Sequence, residues 1–238
     1  MFPEFYEELI SASRGLPESF VSAEKAEKYY IHINELEEKG KLFNLTAITD
    51  RAEAIRKHTV DSLHLAKTVA ELSAEEKTLI DVGSGGGFPA LPVAVACGIP
   101  VTALDSTAKK CEFISSVAEK CGVDVKTLPE RAEEAVASRR ETFDFATARA
   151  VARLNILAEL CAPFVKVGGC FLAMKGSAAD EELNEAKSAV AKLGLEFQRA
   201  ERYEIEDGGE RSILIFKKVV PTPSEFPRRF AQIKKRPL

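Results

Sequence analysis

The sequence predicts an α/β fold: a seven-stranded, mostly parallel sheet with its last strand antiparallel, preceded by a helical extension. Three observations carry that expectation. From residue 77 onward, short apolar runs alternate with helical stretches, the pattern of strand–helix units that build a parallel sheet covered on both faces. The last two strand-like runs are joined instead by Glu206-Asp207-Gly208-Gly209, a turn signal for an antiparallel hairpin. Residues 1–72 lack the alternation and carry helical spacing.

The elements follow in chain order. Ser22-Ala23-Glu24 opens a long helical stretch that reaches Lys39-Gly40, where glycine supplies a stop. Asp50 is placed to cap another, in which Ile55, Leu63, Ala66 and Val69 keep a helical period. The mostly apolar connector Phe43-Asn44-Leu45-Thr46-Ala47-Ile48 lies between them. Strand character follows at 78–82, 101–105, 123–128, 143–148, 169–174, 196–204 and 212–219. Helical stretches fall at 90–97, 108–121, 130–138, 154–165 and 180–193. The chain thus divides into an extension (1–72), a sheet domain (73–220) and a basic tail (221–238).

A chain of 238 residues accommodates one large α/β domain with an appendage. Its apolar runs all fall short of the ~20 residues that span a bilayer, and the acidic start Met1-Phe2-Pro3-Glu4 is not a signal peptide. Cys97, Cys111, Cys121, Cys161 and Cys170 are scattered and never form a C-x-x-C pair, which fits reduced thiols in a cytoplasm and neither disulfides nor zinc. The net charge of −4 hides an asymmetry. Residues 1–40 hold nine acids and four bases (−5), whereas residues 217–238 hold seven bases and one acid (+6). The basic edge is either a solvated tail or a surface for phosphates.

In an open α/β sheet a ligand sits beyond the carboxyl ends of the strands, so the loop after the first strand is the place to look. There Asp81-Val82-Gly83-Ser84-Gly85-Gly86-Gly87-Phe88 puts Gly83, Gly85 and Gly87 where the backbone must turn sharply and approach a ligand. The run Gly85 to Ala90 also satisfies the dinucleotide fingerprint G-x-G-x-x-A, with Asp105 18 residues beyond Gly87. A nicotinamide- or flavin-dependent oxidoreductase therefore competes with an S-adenosylmethionine enzyme. Two features favour the latter. Asp81 suits an ammonium group and would repel a pyrophosphate, and the antiparallel ending describes a Rossmann-like class I methyltransferase sheet better than a plain dinucleotide fold.

Asp105 can accept hydrogen bonds from both ribose hydroxyls of either cofactor. Arg131-Ala132-Glu133 follows the third strand, either as an ordinary helix start with acids favouring the dipole or as the border of an adenine. Arg149 emerges at the end of the fourth strand, where a charged group needs a partner or a job.

These motifs together resemble a known family. Asp-Val-Gly-Ser-Gly-Gly-Gly-Phe-Pro-Ala-Leu-Pro (81–92), Leu-Asp-Ser (104–106), Arg-Ala-Glu (131–133) and Thr-Ala-Arg-Ala-Val-Ala (147–152) are similar to the bacterial ribosomal small-subunit methyltransferase G family. The likeness extends to Asn44-Leu45-Thr46-Ala47, His58-Thr59-Val60-Asp61-Ser62, Lys175-Gly176 and Phe226-Pro227-Arg228-Arg229. The resemblance implies S-adenosylmethionine-dependent methylation of guanine N7 in 16S rRNA, with Gly83, Phe88, Ala132, Glu133 and Arg149 at the cofactor positions. Two places depart from it: Ala90, where many members carry glycine, and Arg229-Phe230-Ala231-Gln232, where the usual version bears a glycine.

Guanine N7 has an in-plane lone pair and no proton to remove, so such a reaction needs alignment more than a general base; positioning accounts for ~7–11 kcal/mol of barrier. That agrees with the absence of a catalytic dyad, and the three histidines lack metal-ligand spacing. His58, Asp61 and Ser62 share one helical face, an exposed polar stripe by spacing alone. The resemblance implies instead that this face borders the substrate together with Asn44. Arg153, Lys175, Lys217, Lys218, Arg228 and Arg229 are the candidates for RNA phosphates. The expected protein is a cytoplasmic monomer acting on 16S rRNA or the small subunit, without membrane or metal; a non-catalytic RNA-binding assembly factor is the third reading.

Overall fold

The run Leu79-Ile80-Asp81-Val82 forms β1 (Leu79–Val82), buried at every position because both faces of the sheet are covered. In the computed structural model, which describes residues 2–43, 45–73 and 77–238, β1 pairs in parallel with β2 (Val101–Leu104) and β4 (Phe143–Arg149). β3 (Val125–Leu128) lies outside β2, and β5 (Val165–Lys175) outside β4, again in parallel. β6 (Leu195–Ile205) and β7 (Gly209–Lys218) form the expected hairpin, and β7 inserts antiparallel between β5 and β6. The order β3-β2-β1-β4-β5-β7-β6 reverses its direction of growth between β1 and β4, which is where a crevice opens in such sheets.

Alternate strand residues point to opposite faces, and the core divides accordingly. Leu79, Phe145, Leu172 and Ile215 join one apolar cluster; Ile80, Ala146, Phe171 and Phe216 join the other. The first is covered by α5 (Ala90–Cys97), α6 (Ala108–Cys121) and three helices of the extension, α1 (Phe2–Ala12), α2 (Ala23–Phe43) and α4 (Asp61–Leu72). Tyr29, Ile33 and Leu36 lay one stripe of α2 into this cluster, so extension and sheet share a core; each such burial stabilises by ~1.5–3 kcal/mol. The second face carries α7 (Ala132–Arg139), α8 (Leu154–Cys161), α9 (Ala179–Glu185), α10 (Lys187–Lys192) and, from the tail, α11 (Phe230–Lys235) through Ile233.

Four local expectations change. Helix α2 runs through Gly40 to Phe43; a glycine stop requires a left-handed residue, and Gly40 is not one. The Asp50 cap does form, accepting from Glu53 N at 2.8 Å, but the helix it opens is interrupted: α3 (Arg51–Ala54) passes into a π-helical stretch over Ile55–Val60 before α4. The helix expected at 154–165 ends at Cys161, with a 3-10 turn before β5. The stretch 180–193 is two short helices divided at Ala186. Among the described residues no helix is long and apolar enough to cross a membrane.

Candidate active site

At the end of β1 the chain folds back on β2. Gly83 N and Ser84 N both donate to Leu104 O, at 2.7 and 3.1 Å, and Gly85 N donates to Asp105 Oδ2 at 3.1 Å. Two glycines have distinct tasks here. Gly83 sits at φ +82°, and a Cβ on it would stand 2.5 Å from Val151 Cγ2, so its bareness admits the chain that follows β4. Gly85, at φ +55°, would aim a Cβ into open space, with nothing nearer than Gly83 O at 4.0 Å. That open space is a cavity of about 520 Å³, a fitting size for a nucleoside-bearing ligand.

The cavity is walled by Gly83–Gly86 and Phe88, by Asp105–Thr107 after β2, by Arg131–Glu133 at the start of α7, and by Arg149–Val151 after β4. Helix α7 begins at Ala132, so the N–H groups of Ala132 and Glu133 are among those that a first helical turn leaves without intrahelical partners. Asp105 accepts from Thr107 N at 2.9 Å through its other oxygen, with Lys110 Nζ 3.9 Å away. These donors, the acidic side chain and the bare backbone at Gly85 fit an adenosyl group.

Asp81 and Gly87 stand behind this wall and not in it. Gly87 is bare because a Cβ there would meet Leu91 Cδ1 at 2.6 Å and His32 Nε2 at 3.4 Å, a packing requirement. Asp81 is fully buried, and neither carboxylate oxygen has a hydrogen-bond partner among the described residues. Burial pushes its carboxyl up to about 7, against the pull of Ser84 and Arg149. Asp81, expected to meet an ammonium group, is absent from the cavity lining, and because an ion buried without a partner is costly, burial favours its protonated carboxyl.

The extension supplies what the sequence reading missed. His32, on the apolar face of α2, stacks on Phe88 at 4.1 Å between ring centres and donates from Nε2 to Gly86 O at 2.7 Å. His58, in the π-helical stretch, stacks on the same ring at 4.8 Å, and the Arg149 guanidinium lies 5.6 Å from it. Arg149 donates to Lys57 O at 2.9 Å, to Asp61 Oδ2 at 3.0 Å and to His58 Nδ1 at 3.2 Å. The other ring nitrogen, Nε2, pairs with Thr46 Oγ1 at 2.8 Å. Burial and Arg149 hold His58 down at about 3, and burial holds His32 at about 4, so both imidazoles are neutral. Asp61 also accepts from Tyr203 Oη at 2.8 Å. The charge at the end of β4 therefore has its partner in the extension. Ser62 donates to His58 O at 2.6 Å and is buried, so the face expected to be an exposed polar stripe is an interior network.

A second cavity, of about 660 Å³, shares His58, Arg149, Ala150 and Val151 with the first and continues past Asp61, Arg153 and Lys175. Ala150 occupies the left-handed region at φ +56°, a strained conformation for a residue with a Cβ. Of the residues expected to face substrate, His58, Asp61, Arg153 and Lys175 line this cavity; Asn44 lies outside the described residues.

Several expected phosphate contacts are engaged inside the protein. Lys175 is 9% exposed, pairs with Glu182 at 2.8 Å and donates to Ala152 O. Lys218 is fully buried against Glu141 at 3.3 Å and Thr222. Arg228 is forked onto the buried Glu159, Lys217 donates to Gly168 O, and the exposed Arg153 pairs with Glu181 and Glu185. A buried cation needs a carboxylate, and folding supplies one in each buried case. Arg229 remains on the surface. No group of three His, Cys, Asp or Glu side chains among the described residues could hold a metal.

Residues 23–213 match the family described as rRNA small subunit methyltransferase G. Relatives bearing the name ribosomal RNA small subunit methyltransferase G include one from Clostridium botulinum, 39% identical over 99% of both chains. Another, from Caldicellulosiruptor bescii, is 45% identical over 87% of this chain and 90% of its own. Among solved structures, TYW2 from M. jannaschii in complex with AdoMet superposes with TM-score 0.54 over 67% of this chain and 77% of that one, at 14% identity. A putative sarcosine dimethylglycine methyltransferase from Galdieria sulphuraria gives 0.55 over 71% and 88%, at 12% identity. These two share the fold.

Proposed function

The chain belongs to the rRNA small subunit methyltransferase G family, and from that premise we propose that it methylates N7 of a guanine in 16S rRNA, with the base entering the second cavity. It is an S-adenosylmethionine-dependent rRNA methyltransferase; the nicotinamide and flavin readings of the glycine loop fall with the family match. The observation that carries the proposal is the junction at Arg149, where a cavity suited to an adenosyl group shares His58, Ala150 and Val151 with a second one.

The residues divide the work. Gly85 lets the ligand lie against the backbone, Asp105 accepts from ribose hydroxyls, and the Ala132 and Glu133 N–H groups face the purine ring nitrogens. S-adenosylmethionine, when bound, supplies a methyl group already activated by its sulfonium. His58 and Arg149, both packed against Phe88, form the shared wall and fix the angle at which an incoming base meets the first cavity. N7 loses no proton, so the neutral His58 is a spacer and hydrogen-bonding partner and not a base. Positioning of this kind accounts for ~7–11 kcal/mol of barrier. Asp81 and Gly87 set the loop from behind, and surface cations such as Arg229 meet phosphates. The protein acts as a monomer without metal.

Transfer of labelled methyl from S-adenosylmethionine to small ribosomal subunits and to naked 16S rRNA, followed by mapping of the modified base, tests this. The expected result is one guanine carrying the label at N7. Label on another base, or on N1 or N2 of guanine, refutes the proposal.

A further inference from the structure

Glu159 of α8 is fully buried, and a carboxylate in that position needs a partner. It has one in the tail. Arg228 Nε donates to Oε1 at 2.8 Å, Nη2 donates to Oε2 at 2.5 Å, and the Arg228 N–H donates to Oε1 at 2.9 Å. A single carboxylate thus fixes both the main chain and the side chain of one tail residue. Two residues on, Phe230 opens α11, its N–H donates to Glu133 Oε1 at 3.4 Å, and its side chain helps wall the 520 Å³ cavity. Ile233, fully buried, fastens the following turn to the core. A solvated basic tail requires none of these attachments.

The chemistry of that part of the cavity is specific. Ala132 and Glu133 bring helix N-terminal donors, while Leu160 and Phe230 bring apolar surface. Donors at an edge with apolar surface beside them are what a flat heteroaromatic ring bearing acceptor nitrogens requires. We infer that residues 226–233 form a strap completing the adenine end of the cofactor cavity, with Phe230 contacting the ring and the Arg228–Glu159 pair acting as the pin that positions it. The inference rests on the cofactor reading above. It also moves Arg228 from the RNA surface to the cofactor site.

The test is calorimetric titration of the full-length protein with S-adenosylhomocysteine and, separately, with adenosine. Phe230→Ala is expected to weaken both by the same factor, about tenfold, as loss of a ring contact would. Phe230→Tyr should stay within about twofold of the original, and Gln198→Ala, exposed on β6 away from the cavity, should leave affinity unchanged. Arg228→Lys keeps the charge but loses the fork, and should weaken S-adenosylhomocysteine several-fold in the original protein yet cause no further loss in the Phe230→Ala background. Melting temperatures, measured alongside, separate loss of fold from loss of contact. Affinity within twofold after Phe230→Ala, or an Arg228→Lys loss that persists undiminished without Phe230, overturns the strap. Failure of the unmodified protein to bind S-adenosylhomocysteine overturns the cofactor reading itself.

Discussion

Cutting the bond between Arg149 and Asp61 tests whether the extension holds the site in shape. Asp61 is 4% exposed, and its carboxylate has two partners, Arg149 Nη1 at 3.0 Å and Tyr203 Oη at 2.8 Å. Arg149→Met removes the cation and leaves a buried carboxylate with a phenol alone. Breaking buried pairs this way costs about 3–5 kcal/mol. The Arg149 side chain is 17% exposed, so the lower end applies, about 3 kcal/mol. In a chain of this size that lowers the melting temperature by roughly 6–12 °C. Asp61→Asn removes the charge but retains an acceptor, at about 1–2 kcal/mol. The double variant holds no unpaired ion, so it should be no worse than Arg149→Met, a coupling of at least ~1 kcal/mol. Urea denaturation of the four proteins, followed by circular dichroism, measures this. Losses that add to within ~0.5 kcal/mol would mean that the two side chains are neighbours without being partners, and the argument for an extension-built site would fail.

His58→Ala should lower the methyl-transfer rate more than it lowers S-adenosylhomocysteine affinity, because His58 lies on the wall shared by both cavities; equal losses in the two measurements refute a substrate-side role. Stability should also depend on acid. His32, His58 and His64 are held at about 4, 3 and 4, chiefly by burial, so the unfolded chain takes up their protons first and stability falls as pH drops from about 6.5 toward 4. Asp81, pushed up from 3.8 to about 7, acts in the opposite sense: its contribution is fully present below 3.8 and is lost as pH rises from there to about 7. His64→Phe keeps a ring against Tyr203 while removing one titration, and should flatten the acid decline in melting temperature; an unchanged profile would show that His64 does not contribute.

Strand alternation, the hairpin turn and the glycine loop were legible because they are written in local sequence: apolar runs, an Asp-Gly-Gly turn and bare backbone where the chain reverses. The need of Arg149 for a partner was legible too, but not the partner, which comes from a helix 88 residues earlier and meets it only through packing. The same holds for the basic tail. Counting charges gives a strong positive edge, yet Lys218 and Arg228 spend theirs on Glu141 and Glu159, pairings that no spacing announces. His32 carried a readable signal, since Tyr29, Ile33 and Leu36 define an apolar face of α2 that also contains it. Gly40 misled because glycine marks a helix end only where it takes a left-handed turn.

The hydrogen bond from His32 to Gly86 bears on how this enzyme could be made smaller. It grips the glycine loop from the side opposite the cavity, with Phe88 stacked beside it. A loop already clamped from behind has little left to reorganise when a ligand arrives in front, so its ordering is completed during folding and not at each encounter. Trimming the chain to its sheet domain would then preserve every residue of the glycine motif and still forfeit affinity. Pre-organisation of the motif is a property of α2, forty-odd residues before the loop begins.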